Sequence, residues 1–416
     1  MKNKSDCWER LLRQVEEKGG DGESFVREVK ELYRGFDPAV AEWLGGLYDP
    51  VSGGFYYSNS GRDNEGFGAD VESTHQAVAL LTGTGFINSA DELPYEVKEG
   101  IKRFVCSLQE AEDGYFYHPQ WDRNMPDWKL RDSRLGRDQN WSVSLANQLD
   151  FSLPYLTASE RLLLSGDFGS AGRPAHLSSA EGLLEYLRGF DWDNNAYFAG
   201  STLSSIGNQI LSAGLADTAV EFMNSLQNKE NGLWGKKGGY HATNALLKIA
   251  HFYSTVYAPI PNAALAARTA VDMICADMDP AAATVCWQYN VWFALYLLID
   301  NLRHSGGAEG NRQADSIISE VLGRGAECVR RTREKVEIFK KPDGSYSYLQ
   351  NRTSPTSQGA PVALENTDEG DVNATVICIK QTTESLFWAL EMDMPPIFDG
   401  EDYKRFLSAL KISNGR

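Results

Sequence analysis

The sequence predicts an all-α fold, an (α/α)6 toroid of six helical hairpins in two concentric layers, on three observations. One motif recurs along the chain. The helices between its copies alternate between amphipathic and almost wholly apolar. No run shows the apolar–polar alternation of a half-buried strand. Water-facing helices backed by helices covered on every side are what two nested rings require. A chain of 416 residues would usually divide into two or three domains, but repeat-built architectures hold that length as one. Residues 1–36 read as an N-terminal helical extension packed on the ring, and residues 37–416 as the toroid that carries the working site.

In chain order, the first copy of the motif runs from Trp43 to Tyr48, through Gly53-Gly54-Phe55-Tyr56, to Asp70-Val71-Glu72-Ser73-Thr74-His75. The second has Ser107-Leu108-Gln109, Asp113-Gly114-Tyr115-Phe116 and Asp138-Gln139-Asn140-Trp141. A weaker copy pairs Ser178–Phe190 with Leu203–Ala213. The fourth has Ser225-Leu226-Gln227, Asn231-Gly232-Leu233-Trp234 and Tyr240-His241-Ala242-Thr243-Asn244. Another weak copy pairs Ala263–Ala276 with Thr284–Leu302, and the last has Asp343-Gly344-Ser345-Tyr346 and Asp371-Val372-Asn373-Ala374-Thr375. Val97, Ile101, Phe104, Val105 and Leu108 fall on one helical face, whereas Val285–Ile299 is apolar nearly all round. The Asp-Gly and Asn-Gly pairs signal turns. The aromatic after each is expected to pack over helix ends. Asp70 and Asp371 stand where helix N-caps stand.

The order Ser-Leu-Gln, Asp/Asn-Gly-aromatic, Asp-Val-x-x-Thr resembles the repeat of terpenoid cyclases and protein prenyltransferases, over residues 37–390. Six-hairpin glycosidases share that toroid with looser motifs. The resemblance implies a site at the mouth of a ring. The prenyltransferase zinc site implies an Asp-x-Cys pair, and this chain has none; the nearest run to the cyclase Asp-x-Asp-Asp is Asp191-Trp192-Asp193-Asn194.

Composition narrows the chemistry. The net charge of −17 repels a phosphate backbone and anionic membranes, so neither nucleic acid nor membrane is an expected partner. The longest apolar run, Val291–Ile299, is too short to span a bilayer. The first ten residues lack a leader-like apolar core, and the chain reads as cytoplasmic. Six scattered cysteines without Cys-x-x-Cys read as free thiols. Neither metal nor cofactor is expected, since His-x-His and His-Glu-x-x-His are both missing.

Three long connections, 56–70, 117–141 and 346–373, are expected as loops gathered on one face. With the inner-helix starts they supply carboxylates, guanidiniums, amides and indoles, the composition of a sugar site. Asp138, Glu72, Asp70 and His241 are the candidate catalytic groups. Arg62, Arg137, Asn140, Trp141, Tyr240, Trp287, Gln288, Asp371 and Asn373 are the candidate substrate contacts. Capping competes as the role of Asp70 and Asp371, and a structural role competes for His241. The function expected is cleavage of a glycosidic bond in a small saccharide, by hydrolysis before β-elimination. An isoprenoid-processing enzyme and a non-catalytic binding toroid are the alternatives. The lining of the central cavity discriminates: a carboxylate pair with Trp and Asn selects the sugar reading, an aromatic-walled apolar cavity the isoprenoid one, and a filled ring the scaffold.

Overall fold

A computed structural model describes residues 4–165, 175–236, 238–279, 283–357 and 359–410. Among them the fold is all-α, with a single two-stranded antiparallel pair, Thr356–Ser357 with Ala360–Pro361. No helix of the described residues is long and apolar enough to cross a membrane. The chain forms two compact units, each assembled from separate stretches of sequence: residues 1–34, 171–336 and 381–395 in one, and 35–170, 337–380 and 396–416 in the other.

In the first unit one run of helices packs in series. Ala196–Ser205, Tyr240–Thr255, Cys286–Ser305 and Thr382–Ala389 pack each on the next. Ala263–Cys275 and Gly307–Leu322 pack on each other and on Cys286–Ser305, and Ala216–Leu226 lies beside Ala180–Arg188. Cys286–Ser305 is the apolar helix expected from Val285–Ile299, and it has neighbours on four sides. The expected helix Leu203–Ala213 is in fact two, Ala196–Ser205 and Gly207–Ser212, interrupted at Ile206. A side chain on Gly207, just past the interruption, would press on Thr255 at 3.1 Å.

The second unit shows what the repeat is for. Phe55, Phe116 and Tyr346, the aromatics after the glycine turns, are fully buried, as is Trp234 in the first unit. The Phe55 amide donates to Thr74 Oγ1 at 2.9 Å, and the Tyr346 amide donates to Thr375 Oγ1 at 3.0 Å. The threonine of Asp-Val-x-x-Thr therefore holds the turn of its own hairpin. The glutamine of Ser-Leu-Gln ties the turn to the next segment of chain: Gln109 Nε2 donates to Tyr155 O, and Gln227 Nε2 donates to Gly232 O and Pro261 O. Each turn glycine lies against the backbone of another hairpin. A β-carbon on Gly53 would stand 2.1 Å from Gly100 O, one on Gly114 2.3 Å from Leu156 O, and one on Gly232 2.5 Å from Ala266 N. Gly344, in the last copy, meets Asp37 and Val40 at the start of the first. First and last copies also pair by backbone, with Val372 N donating to Tyr57 O at 2.9 Å and a bridge between Ser58 and Asp371.

The segment 117–141 is not a loop throughout. Helix begins at Trp128 and runs to Gln148, so Asp138 lies mid-helix and not at a helix entry. Arg134 and Asp138, four apart, share one face and an ion pair, which makes helix the better state for that stretch.

Candidate functional site

The three long connections do meet. Ring nitrogen Nε2 of His118 hydrogen-bonds Ala69 O at 2.6 Å, and Gln120 Nε2 donates to Pro361 O at 2.7 Å. Ser60 donates its amide to Glu369, and its hydroxyl accepts from the Leu364 amide. Tyr57, Trp121, Ala360, Val362 and Ala363 form a small core between them.

Beside that core, the helix Val71–Gly83 packs along Trp128–Gln148. Their seam holds a buried charge network. Arg134 donates from Nη2 to Glu72 Oε2 at 3.1 Å and also to Asp138 Oδ1, while Arg137 pairs with Glu72 Oε1. Trp121 Nε1 donates to Asp138 Oδ2 at 2.9 Å, and Ser357 Oγ reaches Glu72 at 3.3 Å. Glu72 and Asp138 are each 2% exposed; Arg137 is the partly open member, at 35% of its side chain. Burial raises the Asp138 carboxyl above the usual range, although Arg134 beside it opposes the shift. Burial also acts on Glu72, but two guanidiniums outweigh it and hold that carboxyl below the usual range.

One turn along the seam, His75 stacks on Trp141 with ring centroids 4.4 Å apart, and His75 Nε2 meets Ser144 Oγ at 2.9 Å. Burial pulls the His75 imidazole down to about 4, with Lys380 adding to the effect, so it is neutral at pH 7. Gln76 Nε2 donates to Asn373 Oδ1 at 2.9 Å. Four buried polar atoms of this seam have no hydrogen-bond partner within the protein: His75 Nδ1, Gln76 Oε1, Arg137 Nε and Trp141 Nε1. Such atoms are costly to bury unless something polar answers them.

The other expected residues of this unit hold local structure or face outward. Asp70 caps Val71–Gly83, accepting from Ser73 N at 2.8 Å and Ser73 Oγ at 2.6 Å. Asp371 accepts from Ala374 N, Tyr348 N and Thr353 Oγ1. Burial raises both carboxyls to about 6. Arg62 forks onto Asp63 and donates to Gly46 O. Asn140 is exposed. Tyr240, His241, Trp287 and Gln288 belong to the first unit. There Tyr240 stacks on Trp287 at 4.2 Å, Asn290 donates to Asn244 at 2.9 Å, and His241 is exposed beside Asp193 and Trp234.

Arg134, the centre of the network, and Gln76 and Ser357 around it are not among the site residues expected from the sequence. The signal for Arg134 is its spacing from Asp138, legible once the helix is carried back to Trp128. Among the described residues no three His, Cys, Asp or Glu side chains gather as metal ligands. Comparisons with family models, with curated proteins and with solved structures give no match.

Proposed function

We propose that this protein is a carbohydrate-active enzyme that cleaves a glycosidic bond in a small saccharide, by hydrolysis, on an (α/α)6 toroid of six hairpins. The observation that carries the reading is the seam itself: two buried carboxylates with oppositely shifted pKa values beside four unanswered polar atoms and a stacked His75–Trp141 face. Environments that push two carboxyls apart divide the acid from the base. Asp138, raised by burial, is the proton donor to the leaving oxygen. Glu72, kept ionised by arginines, is the nucleophile or electrostatic partner. Both bond the same Arg134 Nη2, which favours the closer carboxyl spacing, that of retention. Sugar hydroxyls supply both donors and acceptors, the mixture that the amide, indole, imidazole and guanidinium atoms ask for. The toroid is supported by the threonine and glutamine ties repeated between copies, and by the pairing of first copy with last.

The test is turnover of a panel of aryl glycosides and unsaturated uronides by wild type, Asp138→Asn and Glu72→Gln, with melting temperatures alongside. Loss of about 10²–10⁴-fold in rate by folded variants is the expected result, with the anomer of the first product retained. Turnover undiminished in both variants removes the carboxyl pair from the mechanism. Saccharide binding without turnover makes the chain a binding module, and binding of an isoprenoid diphosphate alone overturns the sugar reading.

A further inference from the structure

In the first unit the helix Ala263–Cys275 ends on Cys275, and Cys328 stands in the first turn of Gly325–Glu337. The two are 53 residues apart in sequence, yet their sulfurs lie 3.5 Å from each other. Cys328 is fully buried, while Cys275 is partly exposed. One thiol of the pair therefore meets solvent and the other waits behind it.

The surroundings favour an anion on the outer sulfur. A helix C-terminus normally opposes negative charge, but here cations occupy it. Arg331 Nε donates to Cys275 O at 2.8 Å, and Lys335 Nζ donates to Ile274 O at 2.6 Å. Lys335 is 4% exposed, and burial lowers its ammonium to about 8. A hydrogen bond from Cys328 lowers the Cys275 thiol against the effect of burial, and Arg324 and Lys335 lower it further. A lowered pKa, partial exposure and an adjacent second thiol are the marks of a sulfur that oxidises reversibly.

We propose that Cys275 and Cys328 are a redox-modification site, a dithiol that a hydroperoxide converts to an intrachain disulfide. The Cys275 thiolate attacks the peroxide; an S–O bond forms, the O–O bond breaks, and the leaving oxygen takes a proton, giving a sulfenic acid and water or an alcohol. Cys328 gives up its proton and attacks the Cys275 sulfur; the S–S bond forms and the hydroxyl leaves as water. Two thiols lose two electrons and one hydroperoxide gains them. Reaching a bond of about 2.05 Å needs the two sulfurs to close from 3.5 Å. The bond joins the end of one helix to the start of another.

The experiment treats the full chain with hydrogen peroxide, then maps peptides without reduction, using Cys328→Ser and Cys275→Ser for comparison. Wild type is expected to lose two hydrogens and yield one linked peptide, Cys275 to Cys328, undone by dithiothreitol. Its melting temperature should rise by about 4–8 °C. Cys328→Ser should stop at a sulfenic acid on Cys275 that dimedone traps, and Cys275→Ser should leave Cys328 unmodified. The wild-type map decides the matter even where a variant does not fold. Folded wild type that keeps both thiols while another cysteine oxidises overturns the proposal. So does a linked peptide with different partners, or Cys275 passing to the sulfinic acid unlinked.

Discussion

Arg134 donates to Glu72 and to Asp138 from a side chain 3% exposed, and Glu72 has Arg137 as a second cation. Removing it leaves Asp138 without the cation it pairs with and Glu72 with Arg137 alone. Arg134→Met is expected to cost about 3–5 kcal/mol in urea unfolding, whereas the exposed pair Arg312–Glu309 should yield about 1 kcal/mol or less on Arg312→Met. Equal losses at the two positions would mean that the network carries no special weight. His118 offers a pH prediction. Its Nδ1 accepts from the Gln120 amide, so Nε2 carries the proton donated to Ala69 O, and the ring is neutral. Burial lowers it to about 4, against an unfolded value near 6.5. The unfolded chain then binds more protons between those values. The stabilisation is fully present above about 6.5 and is lost as pH falls toward about 4, worth about 3 kcal/mol. Unfolding free energies of wild type and His118→Gln should converge by that amount from pH 7 to pH 4; a constant gap would rule the titration out. The meeting of Glu72 and Asp138 was legible from their matching places in the repeat, although Asp138 lies mid-helix. Arg134 was not, because its partner face appears only after the helix is drawn.

At the scale of turns and helices, Gly53 makes a measurable contrast with Gly66. Both have positive φ, 94° and 93°. Gly66 has open space where a β-carbon would go, whereas on Gly53 it would stand 2.1 Å from Gly100 O. Gly66→Ala should cost about 1–2 kcal/mol, the conformational part alone. Gly53→Ala should cost more, because backbone must move as well, and chemical denaturation of the pair checks the difference. The repeat was readable because its parts have fixed jobs: threonine holding the turn amide, glutamine tying the next segment, aromatic filling the helix ends. The boundary at Trp128 was hidden because charged residues crowd 122–137 and imitate a solvated loop. Arg134 and Arg137 reach across to Glu72 on another helix, and sequence spacing does not display that.

Taken whole, the all-helical class was visible in the alternation of amphipathic and apolar segments, but the interleaving of two compact units was not. Contacts between distant stretches leave no local mark. Residues 1–34 illustrate this. Leu11, Val15, Phe25, Val29 and Leu32 are each 2% exposed or less, and Phe25 lies against Gly325 and Val15 by Gly20 within the first unit. Burying five such side chains is worth on the order of 10 kcal/mol before entropy is charged. A chain starting at residue 35 should therefore melt well below the full one and bind a hydrophobic dye; an unchanged melting curve would show these helices to be dispensable.

The second unit is completed by residues made far apart in time. Ser60 and Glu369, which bond across its first and last copies, are separated by 309 residues. At about 5–20 residues per second, the ribosome delivers the second on the order of 15–60 s after the first. Through that interval the first copy stands with its edge unmatched and its apolar turns uncovered, a target for chaperones and for neighbouring nascent chains. Slower translation is therefore expected to lower the share of the protein recovered folded, read as the yield at matched expression.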